Sequence, residues 1–133
     1  MEYKSTNPAV KLLLNNYYGC IQNILEEIVS KDDKLLEIGC GAGESSSRIR
    51  SMLSGQYFEV SEYDQRYVTN LKKHRPDLIS SQEDVYKMHR EPNSFDIVFL
   101  LQVLEHLEDF RKALASIARV AKKYFRLVSR IRG

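Results

Sequence analysis

Tryptophan is absent, and cysteine, proline and glycine are scarce: two, three and six in 133 residues. So few glycines and prolines exclude a collagen-like chain or a linker. The two cysteines, Cys20 and Cys40, cannot make a zinc site alone, and no Cys-x-x-Cys is present. Both are expected to be reduced thiols. No apolar run approaches the ~20 residues that span a bilayer. The opening residues, MEYKSTNPAVK, carry neither the apolar stretch nor the small-residue cleavage site of a secretory leader. A cytoplasmic protein with no membrane attachment is therefore the expectation. Excess charge is lacking too. Lys plus Arg is 20 and Asp plus Glu is 18, a net +2, too little to argue for a nucleic-acid face. The basic residues gather late, at Arg119, Lys122, Lys123, Arg126, Arg130 and Arg132. A solvated helix end followed by a strand edge accounts for them.

What is present is a globular composition, 43% hydrophobic and 29% charged. The length suits one domain, residues 1–133, at ~150 residues per domain. Apolar spacing predicts a helix over 8–29, with Val10, Leu13, Leu14, Tyr17, Ile21, Ile24, Leu25 and Ile28 on one face. Asn7 then Pro8 is a good start for it. This segment, residues 1–30, reads as an N-terminal cap on a core over 34–129. Strands are predicted at 34–38, 56–62, more weakly 78–82, then 95–101 and 124–129. Helices fall at 44–53, 64–73 and 107–122, the last with Phe110, Leu114, Ile117 and Ala118 or Ala121 inward. Residues 85–94 read as loop. Strands alternating with helices imply a Rossmann-like, doubly wound α/β fold with a mostly parallel sheet of about five strands. Ligands bind such sheets beyond the carboxyl ends of the strands. The informative residues are therefore those just after each strand.

The first strand runs into Glu37-Ile38-Gly39-Cys40-Gly41-Ala42-Gly43, and a helix follows. Glycine lets a ligand lie against bare backbone, and the helix start offers free N–H groups. A dinucleotide fingerprint is G-x-G-x-x-G, but Glu44 stands where the third glycine belongs and would repel a pyrophosphate. A P-loop needs a Lys after its last glycine, and none follows Gly43. A ligand without phosphates and with a positive group suits this acidic loop better. The second strand ends at Glu62, where an acid can accept both hydroxyls of a ribose. The third ends at Glu83-Asp84, where a carboxylate can accept the amino group of a base edge. Asp84 is preferred over Glu83. Together these features describe an adenosine site.

These segments, KLLEIGCGAGESSSRI, EVSEYD, SQEDV and SFDIVFLLQVLEHLEDFRKALASIARVAK, resemble the class I S-adenosylmethionine-dependent methyltransferases. The similarity is to the broad type 11/12-like group, whose fourth strand leads to a Leu-Glu-His triplet, and it runs in order from about residue 34 to 129. It implies S-adenosyl-L-methionine as cofactor and methyl transfer to an acceptor, expected to be a small molecule. Glu37, Gly39, Cys40, Gly41 and Gly43 would form the loop beside the methionine part. Glu62 would hold the ribose, with Tyr63 next to it. Asp84 and the Val85 backbone would meet the adenine. Gln102 and Val103 would border the methyl group. His106 is a weak candidate for a general base, and a local structural role is preferred for it. Tyr17 or Tyr18 could contact the cofactor, but a packing role comes first. Cys40 is read as filler, Asp64 as a helix cap and Asp96 as structural.

Members of that group continue past the fifth strand with helices and an antiparallel hairpin, whereas this sequence stops at Gly133. A truncated chain is the expectation, ahead of a naturally minimal one or one completed by another chain. The last strand would leave an exposed edge at which a second copy could pair as a homodimer. The alternative to an enzyme is accordingly a non-catalytic cofactor-binding or interaction module.

Overall fold

Hydrophobic periodicity places a helix wherever apolar residues recur every three to four positions and a strand wherever they run together. The computed structural model describes residues 7–101 and 107–128. It orders the elements as α1 (Pro8–Ile28), β1 (Lys34–Ile38), α2 (Glu44–Met52), β2 (Tyr57–Glu62), α3 (Gln65–His74), β3 (Ile79–Gln82), β4 (Phe95–Leu101), α4 (Phe110–Val120) and β5 (Ala121–Val128). Asn7 caps α1 by accepting from the Ala9 N–H at 2.9 Å, with Pro8 in the first turn. Asp64 caps α3 in the same way through the Arg66 N–H at 2.9 Å.

The five strands form one parallel sheet in the order β3-β2-β1-β4-β5. The chain moves outward from β1 through β2 to β3, then returns to the other side of β1 for β4 and β5. The switch point is therefore the gap between β1 and β4, and the carboxyl ends of the strands there form the natural ligand crevice.

Each face of the sheet has its own core. Leu35, Phe58, Val60, Ile97 and Phe99 pack under Tyr17, Tyr18, Ile21 and Leu25 of α1, Ile49 of α2 and Leu71 of α3. Leu36, Ile38, Val98 and Leu100 pack on the opposite face against Ala113, Ile117 and Val120 of α4, joined by Val85 and Met88. Tyr17 and Tyr18 meet edge to face at 5.2 Å within the first core. Asp96 accepts from the Lys34 N–H at 2.8 Å, tying β4 to the start of β1. Asp33, buried beside it in sequence, takes the Lys123 ammonium at 2.7 Å and so fastens that end to β5.

The structure corrects the sequence reading at α4. The helix begins at Phe110 rather than Leu107, because Asp109 caps it by accepting from the Lys112 N–H at 3.1 Å. Its inward stripe is Ala113, Ile117 and Val120, while Phe110 is 43% exposed and Ala118 is exposed. The final strand starts at Ala121, three residues earlier than its composition predicts, since Ala121 already pairs with Phe95. The side chains of Val10, Leu13 and Leu14 lie outside the described ones. Among the described residues no helix is long and apolar enough to cross a membrane.

Candidate functional site

The loop after β1 is held by its neighbour strand. The N–H groups of Gly39 and Cys40 both donate to the Ser61 carbonyl, at 2.8 and 3.0 Å. Gly39, Gly41 and Gly43 have φ of 75°, 55° and 86°, a left-handed path that side chains resist. At Gly43 the restriction is doubled, because a Cβ there would stand 2.7 Å from Leu71 Cδ2.

Glu37 lies at the end of β1 with no exposed surface. Ser45 and Ser46, in the first turn of α2, donate their hydroxyls to its two oxygens at 3.1 and 2.6 Å. Burial pushes its carboxyl up to about 7, against the opposing pull of those two hydroxyls. The side chain thus fastens strand to helix beneath the loop. With a serine hydroxyl on each oxygen, it also shapes the loop that follows β1. Cys40 is buried, and burial together with the nearby Glu37 and Glu62 charges pushes its thiol up, away from nucleophilic use.

Glu62 is half-buried at the end of β2. Its Oε1 accepts from the Gly41 N–H at 3.3 Å and its Oε2 from the Asp64 N–H at 2.9 Å. The carboxylate therefore sits directly against the glycine loop, with lone pairs left on both oxygens. Tyr63 follows and is 69% exposed. Its carbonyl accepts from Gln82 of β3 at 3.1 Å.

After β3 the two adjacent acids separate. Glu83 is buried, its N–H donating to the Glu62 carbonyl at 3.1 Å. Its carboxylate is held by the His89 N–H and by Arg90 Nε, each at 2.8 Å. Asp84 remains half-exposed, with one oxygen accepting from the Tyr86 N–H at 2.9 Å. Val85 is buried beside it. The loop, Glu62 and Asp84 thus stand in a row across the carboxyl ends of β1, β2 and β3. Gln102, Val103 and the Leu104-Glu105-His106 triplet lie outside the described residues.

The buried acids Glu37, Glu59 and Glu83 hold groups that sequence reading missed: Ser45, Ser46, Ser81 and Arg90. The polar side of β2, with Glu59 and Ser61 alternating against Phe58 and Val60, was the available signal. A strand covered on both faces is ordinarily apolar on both.

A family model for the methyltransferase domain matches residues 36–128. The chain belongs to the methyltransferase-domain family. An uncharacterized methyltransferase of Schizosaccharomyces pombe is 31% identical to this methyltransferase domain over 105 residues, covering 71% of the chain and 38% of that relative. The chain thus spans well under half the length of this curated relative. Among solved structures, a candidate S-adenosylmethionine-dependent methyltransferase of Methanococcus maripaludis covers 97% of this chain and 67% of its own, at 18% identity and a TM-score of 0.76. A candidate methyltransferase of Haloferax volcanii, determined in complex with a methyltransferase activator, covers 88% of this chain and 54% of its own, at 20% identity and a TM-score of 0.70.

The cofactor implied for the domain is S-adenosylmethionine, and the residues present fit it. Three left-handed glycines give a ligand close access to backbone, a carboxylate with spare lone pairs touches that loop, and a second carboxylate follows one strand further on. Acids border the loop at Glu44 and Glu62. That suits a ligand with a cationic end and no phosphates.

Proposed function

We propose that this domain transfers the methyl group of S-adenosylmethionine to a small-molecule acceptor. The observation that carries the reading is the bond between Glu62 and Gly41, which sets a ribose-type acid against a glycine loop at the sheet's switch point. When bound, the sulfonium supplies an already activated methyl group. The chain's part is then to bind and orient. Gly39 to Gly43 would carry the methionine end on bare backbone. Glu62 would accept the ribose hydroxyls, Tyr63 would lie along the base, and Asp84 with the Val85 backbone would take the adenine edge. Orientation of two reactants can supply roughly 7–11 kcal/mol of barrier lowering, so a dedicated base is not required of the described residues. Gln102 and Val103 would border the methyl group, and His106 stays only a weak candidate for a base.

The test is calorimetric titration with S-adenosylhomocysteine, with NAD in a parallel cell. Binding of the former alone is expected, and tighter NAD binding would sink the reading. Glu62→Ala should weaken binding by about 1.5–3 kcal/mol for each bond lost to the charged acceptor. An unchanged dissociation constant would remove Glu62 from the ribose.

One observation favours a second reading. β5 has no partner on its outer edge among the described residues, and an open edge invites another strand. The domain would then bind cofactor but depend on a further segment, a second copy or an activator chain for transfer. Methyl transfer by this chain as a monomer, established by light scattering on the active sample, would exclude it.

A further inference from the structure

Between β3 and β4 the chain makes no helix, yet residues 83–90 are firmly held. The holder is Arg90. Its Nε donates to Glu83 at 2.8 Å, and its Nη2 donates to Ser81 at 2.8 Å and pairs closely with Glu59. Glu59 also accepts from the Tyr57 and Ser81 hydroxyls, each at 2.9 Å. One guanidinium therefore joins β2, β3 and the returning loop, at a point where both acids are nearly excluded from water. A planar fork holds its donors to two carboxylates in a fixed geometry, where a compact ammonium offers only rotatable ones. Burial opposes the charge on Glu59, but Arg90, Ser81 and Tyr57 outweigh it and hold the acid below its usual range. The far side is secured by α4, where Arg119 donates to the carbonyls of Met88 and Arg90 at 2.7 and 2.6 Å.

The residues enclosed by this clamp begin with Asp84 and Val85. Glu83 is the last residue before Asp84, and both its oxygens are occupied by the other end of the loop. The position of the Asp84 carboxylate is thus set by the Glu83–Arg90 pair, which closes the turn around it. We infer that Arg90 is a positioning residue for base recognition, acting through Glu83 to hold Asp84 where it can accept an exocyclic amino group. This rests on the cofactor reading given above, and it adds a residue that touches no ligand but decides which base the site prefers.

The experiment compares S-adenosylhomocysteine with S-inosylhomocysteine, which lacks the amino group, on the full chain. The wild type should prefer the adenine compound by roughly tenfold or more, the worth of one hydrogen bond to a charged acceptor. In Arg90→Met the preference should vanish, while affinity for the inosine compound hardly changes. Arg90→Lys should recover part of it. Removing the guanidinium leaves two buried acids unpaired, so the triple change Glu59→Gln, Glu83→Gln, Arg90→Met provides a variant without that charge conflict. It too should lose the preference while melting as a folded protein. A preference that survives in a folded variant, or equal weakening of both compounds, overturns the positioning role. A wild type that binds both compounds equally overturns it as well, and leaves the cofactor site standing. A wild type that binds neither overturns the cofactor reading itself.

Discussion

At the residue scale, two side positions of the β1 loop carry opposite constraints. Glu37 is an acid with nowhere to send its charge. Its folded form titrates near 7, above the ordinary 4.5, because burial favours the protonated acid. The stabilisation from holding that proton is complete below about pH 4.5, declines as pH rises, and is gone above about 7. The total is about 3 kcal/mol at most. Glu37→Gln carries no such titration, and its amide can bond the same serines. The gap between wild type and variant in denaturant unfolding should therefore move in the variant's favour between pH 5 and pH 8. Parallel stability curves would show that Glu37 stays ionised throughout. Gly43 is constrained by shape. Gly43→Ala forces a left-handed alanine against the buried Leu71, a loss of about 2 kcal/mol or more, read directly by thermal unfolding.

At the element scale, the order of the nine helices and strands among the described residues is legible in the sequence because periodicity and caps are local. Asn7-Pro8 starts α1, Asp64 starts α3, and the unbroken FDIVFLL is the buried strand beside β1. Where a capping side chain competes with an apolar pattern, the pattern misleads. Leu107 and Phe110 fit the stripe of α4, but Asp109 starts the helix and turns Phe110 outward. Phe110→Ser should consequently change stability by no more than about 0.5 kcal/mol. Ile117→Ala, from a fully buried position, should cost about 2–5 kcal/mol. A large loss at Phe110 would restore the sequence's own placement. The glycine loop and the acids ending β2 and β3 were also legible, since position after a strand is a sequence property. The Arg90 clamp was not, because it joins residues 59, 81, 83 and 90 only once β2 and β3 lie side by side. Glu37 shows the same limit: its acid was visible, but the serines that turn it inward come together only through the bend at Gly39 to Gly43.

At the scale of the whole molecule, the described groups proposed for the cofactor come from three separate strand ends that only the folded sheet assembles. A ligand that spans them binds the native state and not the unfolded chain, so occupancy adds RT ln(1 + [L]/Kd) to stability. At a ligand concentration one hundred times Kd this is about 2.7 kcal/mol. For a domain of this size the melting temperature should rise on the order of 10 °C. S-adenosylhomocysteine should produce that rise, and NAD at the same concentration should not. Glu62→Ala should lose most of the shift at fixed ligand, because its weakened site is no longer saturated. Glu37→Gln should retain it, since an amide there can keep the bonds to the serines of α2. The two acids stand near the ends of adjacent strands but hold different partners, Glu62 the backbone N–H groups of Gly41 and Asp64, Glu37 the serines of α2. A shift lost equally in both variants would mean that shaping the loop and holding the ribose are not separable, and a shift lost in neither would place the ligand elsewhere on the sheet.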